Sequence, residues 1–245
     1  MRLWLAVLFL PFTLLAEQKT VVVIHGLAAS AGVMGHVENT LEADGYRVVN
    51  IDYPSMSKTL YLLAKDIRAK IVEETQGVDQ IDFVTHSMGG IILRQIQLDD
   101  PLPNIGRVVM IAPPNHGSEA LDIVASSAWA KMIFGPAGSQ LAATNSKRWD
   151  AMGPASFEVG IIAGTLGIDP VVSSMIEGPD DGVISVESTK LDGMSDFVTV
   201  HETHPMLVFN GEVMDQMVAF LNTGTFLPPQ PSEKSQWAGN WTHRR

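Results

Sequence analysis

The run IDFVTHSMGGIILRQI, residues 81–96, constrains this chain more than any other segment. Its opening residues are apolar or β-branched and suit a buried strand, whereas its closing residues suit a helix. Between them lies Ser87, flanked by His86 and Met88, with no residues left over for a loop. A strand that turns straight into a helix pushes the junction residue out of the sheet edge, with the helix N-terminal amides behind it. Strand and helix approach closely only if the neighbours are small, and Gly89 and Gly90 meet that need. The junction residue is expected in an uncommon backbone conformation that the surroundings must support.

The rest of the chain repeats the alternation. Apolar, β-branched runs predict strands at Thr20–His25, Tyr46–Ile51, Gln80–Thr85, Arg107–Ala112, Phe157–Ala163 and Asp196–His201. Runs such as VVVI and RVVMI are continuously apolar, the habit of parallel strands covered on both faces. Helical patterns fall at Val33–Ala43, Lys58–Glu74, Met88–Leu98, Glu119–Phe134 and Pro205–Leu221. The expectation is an α/β fold with a mostly parallel sheet of about six strands flanked by helices. Ligands of such sheets sit outside the C-terminal ends of the strands. With 245 residues, 46% of them hydrophobic, the chain can bury one ordinary core without a second domain.

Charge and composition narrow the partners. The formal charge of −11 repels phosphate backbones, so nucleic acid is not expected as a partner. Cysteine is absent, which excludes disulfides, thiolate chemistry and Cys-based zinc sites. Arg2, the apolar run Leu3–Leu15 and the small Ala16 read as a secretory signal peptide over residues 1–16, giving a secreted or periplasmic protein. Leu14 is larger than a signal peptidase prefers, so an uncleaved N-terminal membrane anchor is the alternative. Residues 17–225 form one α/β domain, and residues 226–245, with PPQP and no periodicity, are expected to form a flexible tail.

The setting of Ser87 resembles the G-x-S-x-G nucleophile elbow of lipase-like serine α/β-hydrolases of the bacterial lipase and esterase type, with Thr85 where the first glycine usually stands. VVVIHGLAAS resembles their HG segment, and MIAPPNHGSEALD resembles an APPNxGS stretch of the same group. The resemblance runs from about residue 20 to residue 222 and implies the α/β-hydrolase fold. It also implies an oxyanion hole formed by the backbone N–H groups of Leu27 and Met88. His25 is read as a structural residue of that loop. A serine hydroxyl is a poor nucleophile, so it needs a histidine to take its proton and a carboxylate to orient that histidine.

In this family the acid and then the base follow the serine along the chain. In IEGPDDGVISVEST, Asp180 and Asp181 compete, with Asp169 as an outside candidate. The Asp-Gly spelling of Asp181-Gly182 is similar to the family's acid segment and implies Asp181, leaving Asp180 as a turn residue. VTVHETHPMLVFN offers His201 and His204. His201 ends a strand, whereas His204 lies in the following loop, and the resemblance of THPML implies His204 as the base, with His201 as a neighbour able to tune it. His36, His86, His116 and His243 are not expected to act as bases. Asn115 and His116 are assigned to a turn rather than to substrate contact.

Residues 118–144 are read in two ways. One is a short cap or lid whose Trp129, Met132, Ile133 and Phe134 form an apolar acyl pocket, jointed at Gly135, Pro136 and Gly138. The other is an amphipathic helix packed on the sheet. The resemblance implies a serine hydrolase cleaving carboxylic esters of small molecules or lipids through an acyl-enzyme, with lipid-surface contact through the cap and no metal or other cofactor. Acyltransferase, thioesterase and amidase share that chemistry, and a non-catalytic lipid-binding module is the rival from another class.

Overall fold

Strand and helix alternate as the apolar runs require. In the computed structural model, which describes residues 18–125 and 128–228 and the side chains of these except at 123–133, β1 (Thr20–Ile24) leads through α1 (Gly35–Ala43) to β2 (Arg47–Ile51). α2 (Leu60–Glu74), β3 (Ile81–His86), α3 (Met88–Asp99) and β4 (Ile105–Ile111) follow. Then come α4 (Glu119–Ala125), α5 (Ala128–Gln140) and α6 (Ser146–Met152), before β5 (Val159–Gly164). Two short helices, α7 (Pro170–Ser173) and α8 (Val186–Thr189), precede β6 (Asp196–Val200) and the long α9 (Gly211–Thr223).

The six strands form one sheet in the order β2-β1-β3-β4-β5-β6, every neighbouring pair parallel. This is the α/β-hydrolase architecture. Successive strand side chains point to opposite faces, and the core divides accordingly. Val22 and Ile24 of β1 join a cluster with Leu63 and Ile67 of α2 and Ile91 of α3, whereas Val21 and Val23 join Val37 of α1 and Met217 and Phe220 of α9. The central strands thus have two buried faces and no polar one, which is why runs such as VVVI are continuously apolar, while the edge strands β2 and β6 stay partly exposed. The chain steps from β1 to β2 and then returns to the other side of β1 for β3. That reversal opens a crevice beyond the C-terminal ends of β1 and β3, where the HG segment and Ser87 both lie.

Differences from expectation lie at helix ends. α9 starts at Gly211 rather than Pro205, because the Asn210 side chain accepts from the Glu212 and Val213 N–H groups at 2.9 and 3.3 Å and caps it there. The helix expected over 119–134 is present as α4 and α5, and α5 runs on to Gln140 after bending at Gly135, where φ is 66°. The tail does not begin free at residue 226. The Phe226 amide donates to Asp196 Oδ2 at 2.7 Å, its ring lies 5.1 Å from that of Phe220, and Leu227 exchanges two hydrogen bonds with Gln216. The proposed signal peptide and residues 229–245 lie outside the described residues. Among those described, no helix is long and apolar enough to cross a membrane.

Candidate active site

Ser87 forms the strand-to-helix junction in the conformation its neighbours predict, with φ 52° and ψ −123°. A positive φ of this kind costs a non-glycine residue on the order of 1–3 kcal/mol. Its amide donates to Ile111 O on β4 at 2.9 Å and its carbonyl accepts from Gly90 N at 3.0 Å, so main-chain bonds hold the turn. Gly89 is required where α3 crosses β1, since a Cβ there would lie 2.4 Å from the Ile24 carbonyl oxygen. Gly90 accommodates the departure at position 85. Thr85 is fully buried with no hydrogen-bond partner for its Oγ1 among the described residues, and that oxygen would lie 3.2 Å from a Cβ at Gly90.

His204 lies beside the serine, its Nε2 3.0 Å from Ser87 Oγ, and on the other side of the ring its Nδ1 is 2.7 Å from Asp181 Oδ2. A carboxylate is an acceptor, so Nδ1 carries the proton, and Nε2 is left to accept from the serine hydroxyl. The other Asp181 oxygen accepts from the amides of Val183 at 3.0 Å and Ile184 at 2.9 Å, which fixes the carboxylate plane. The His204 amide donates back to Asp181 O at 2.9 Å, so the two loops are tied along the backbone as well. Asp181 is 1% exposed and Ser87 9%, so the carboxylate is the more deeply buried of the two.

Beside Ser87, the HG loop presents Leu27, and Met88 begins α3. Among the described residues neither amide donates to a protein acceptor, which leaves both N–H groups free beside Ser87. Gly26 abuts Ser87, as a Cβ there would lie 3.0 Å from Ser87 Cβ and 3.3 Å from His86 Nδ1. His25 is buried and holds the loop. Its Nδ1 donates to Gly26 O at 2.9 Å, Nε2 accepts from Tyr53 N at 3.4 Å, and the Tyr53 hydroxyl donates to His25 O at 2.6 Å. Burial pushes the His25 pKa down and that of Tyr53 up, so both stay neutral.

The competing residues have other partners. Asp180 accepts from Ser173 Oγ at 2.9 Å and Gly182 N at 2.8 Å, and Asp169 accepts from the first amides of α7. His201 is exposed, with Nδ1 3.2 Å from Thr165 Oγ1. Asn115 is fully buried, with Nδ2 donating to Thr189 O and its carbonyls, side-chain and main-chain, accepting from Arg94. Exposed His116 lines a cavity of about 630 Å3 with Glu119, Glu177 and Glu187, separate from the Ser87 hydroxyl. The side chains of Trp129, Met132 and Ile133 lie outside the described ones. Phe134 is half-buried, and further along α5 Gly138 lies against the Leu27 side chain.

Sequence reasoning passed over two supporting residues. Tyr53, just beyond β2, locks the HG loop, and nothing in DYP marked it. Arg94 is 5% exposed and burial lowers its pKa to about 10, yet it remains charged and ties α3 to Asn115 and to Gly153 O. Its signal was a lone cation within the apolar stretch GGIILRQI. Among the described residues, no three His, Asp or Glu side chains stand together as a metal-ligand set.

Comparison with known proteins agrees with this architecture. Similar structures include a mature lipase of Bacillus licheniformis, 19% identical with a TM-score of 0.70, covering 86% of this chain and 94% of that one. A phospholipase of Legionella pneumophila is 18% identical with a TM-score of 0.63 over 85% of this chain and 57% of its own. An esterase of Exiguobacterium antarcticum is 15% identical with a TM-score of 0.59 over 84% and 92%. At such identities the likeness is one of fold. Sequence places it more closely, because residues 21–210 match the family described as alpha/beta hydrolase, and the chain belongs to that family.

Proposed function

We propose that this hydrolase cleaves carboxylic esters through an acyl-enzyme, as a lipase or esterase. The observation that carries the reading is the single ring of His204, 3.0 Å from Ser87 Oγ at one nitrogen and 2.7 Å from Asp181 at the other. Ser87 Oγ attacks the ester carbonyl carbon as its proton passes to His204 Nε2. Asp181 stabilises the imidazolium, and the Leu27 and Met88 amides receive the oxyanion. Collapse expels the alcohol, which takes the proton from His204. Water then attacks the acyl-enzyme with His204 again as base, the acid departs, and the serine is restored. Every group required belongs to the chain itself.

The names of the similar structures, lipase, phospholipase and esterase, support ester cleavage as the class. An apolar substrate is supported by Leu166, Ile168, Val171 and Met175, exposed on the loop and helix after β5, and by Met206, exposed two residues beyond His204. We infer contact with lipid or another apolar ester there and at the 118–144 segment, and export directed by residues 1–16.

A fluorophosphonate probe tests the reading on the whole chain. Wild type is expected to be labelled and Ser87→Ala not. Labelling of neither leaves a binding module. Labelled protein that turns over thioesters or amides but no p-nitrophenyl ester overturns the substrate class. An acyl series then sorts the activity, with short chains preferred by an esterase and long ones by a lipase.

A further inference from the structure

His86 is used neither as nucleophile nor as base, yet it touches both sides of the site. It ends β3 and is 7% exposed, and its Nε2 lies 3.2 Å from the main-chain carbonyl oxygen of His204. A carbonyl only accepts, so Nε2 carries the ring proton and His86 is the Nε2–H tautomer. Its Nδ1 has no partner among the described residues. The ring lies 4.9 Å from that of His204, tilted by 40°, and Nδ1 faces Gly26.

Main-chain bonds to Thr203 O and Glu202 O hold the neighbouring residues of the base loop, but they do not reach the His204 carbonyl. The His204 amide is held by Asp181 O, but among the described residues no other donor reaches the His204 carbonyl. A base delivered by a loop must be held to a fraction of an ångström, because a displacement of about 1 Å costs on the order of a hundredfold in rate.

Building on the serine-hydrolase reading, we propose that His86 is a positioning residue, whose Nε2–H holds the His204 carbonyl while its ring spaces the base loop from the oxyanion loop. Burial, followed by the neighbouring His204, lowers its pKa to about 3, so it stays neutral when His204 becomes charged. The titratable groups facing it are His204, Asp181 and His25.

The test compares His86→Phe, which keeps a ring but loses the donor, with His86→Gln, which keeps a donor of similar reach. For a short p-nitrophenyl ester, His86→Phe is expected to lower kcat by about 10- to 100-fold with KM within about threefold, and His86→Gln to recover most of the loss. The proposal falls if His86→Phe matches wild type, if the loss lies in KM, or if His86→Gln is no better than His86→Phe. If the variants do not fold, isotope-edited histidine NMR of the wild type decides. It is expected to show His86 as the uncharged Nε2–H form at about pH 5, and an Nδ1–H or charged ring overturns the proposal. Wild type that neither labels with fluorophosphonate nor cleaves esters refutes the serine-hydrolase reading instead, whatever tautomer His86 adopts.

Discussion

From Ile81 to Ile96 the backbone passes from strand through Ser87 into helix without interruption, and every residue is buried. Across the crevice, Asp181 and His204 come from two separate loops, beyond the neighbouring strands β5 and β6, and are tied by hydrogen bonds between them. Ser87 is therefore placed mainly by local backbone geometry, supported by a missing Cβ at Gly89 and by its amide bond to Ile111 O. Asp181 and His204 are placed by tertiary contacts between segments distant in sequence. A locally built part is legible in a short window, whereas an assembled part depends on second partners such as the Val183 and Ile184 amides and the His86 ring.

This contrast can be broken most severely at the assembled side. Asp181→Asn is expected to lower kcat by about a thousandfold to ten-thousandfold, while Asp180→Asn, a loop staple, stays within about threefold and loses about 1 kcal/mol of stability. Ester hydrolysis and urea unfolding on the same pair check this, and equal losses of activity would erase the distinction between them. At the local side, Gly89→Ala forces a Cβ onto the Ile24 carbonyl and is expected to cost about 3 kcal/mol in urea or thermal unfolding.

Acidification acts on the buried rings. His86 stays neutral in the folded chain down to about pH 3, and the His25 pKa is lowered too. The unfolded chain protonates both near pH 6.5. Between those values the unfolded state binds more protons, so stability is full above about pH 6.5 and falls on acidification, by up to about 1.4 kcal/mol per pH unit for each ring. Urea midpoints across pH measure the slope, and His86→Phe is expected to flatten it. The smallest effect concerns Thr85. Thr85→Ala removes a buried hydroxyl without a partner and is expected to shift unfolding by less than about 1 kcal/mol.

The central strands were legible because they are covered on both faces and spell apolar runs such as VVVI and VVMI, whereas the edge strands β2 and β6 are partly exposed and were marked by their β-branched residues. The elbow was legible because Ser87, Gly89 and Gly90 are adjacent in sequence. α6, α7 and α8 were not, since four to seven residues carry too little periodicity to stand out. Asn210 was an overlooked cap signal, and reading through it extended the last helix to Pro205. Asp181 and His204 were reached through their spelling and family likeness. No pattern in the sequence announces that the His86 ring lies against the His204 carbonyl, because the two residues are 118 positions apart.

At position 26 a single absent methyl group leaves the space in which the HG loop, Ser87 and His86 meet. Distances fixed by atomic repulsion are unaffected by dissolved ions, which weaken only the attractions between charges. The separation between the Gly26 backbone and Ser87 is thus a steric dimension of the protein, as constant in brine as in dilute buffer for as long as the chain stays folded.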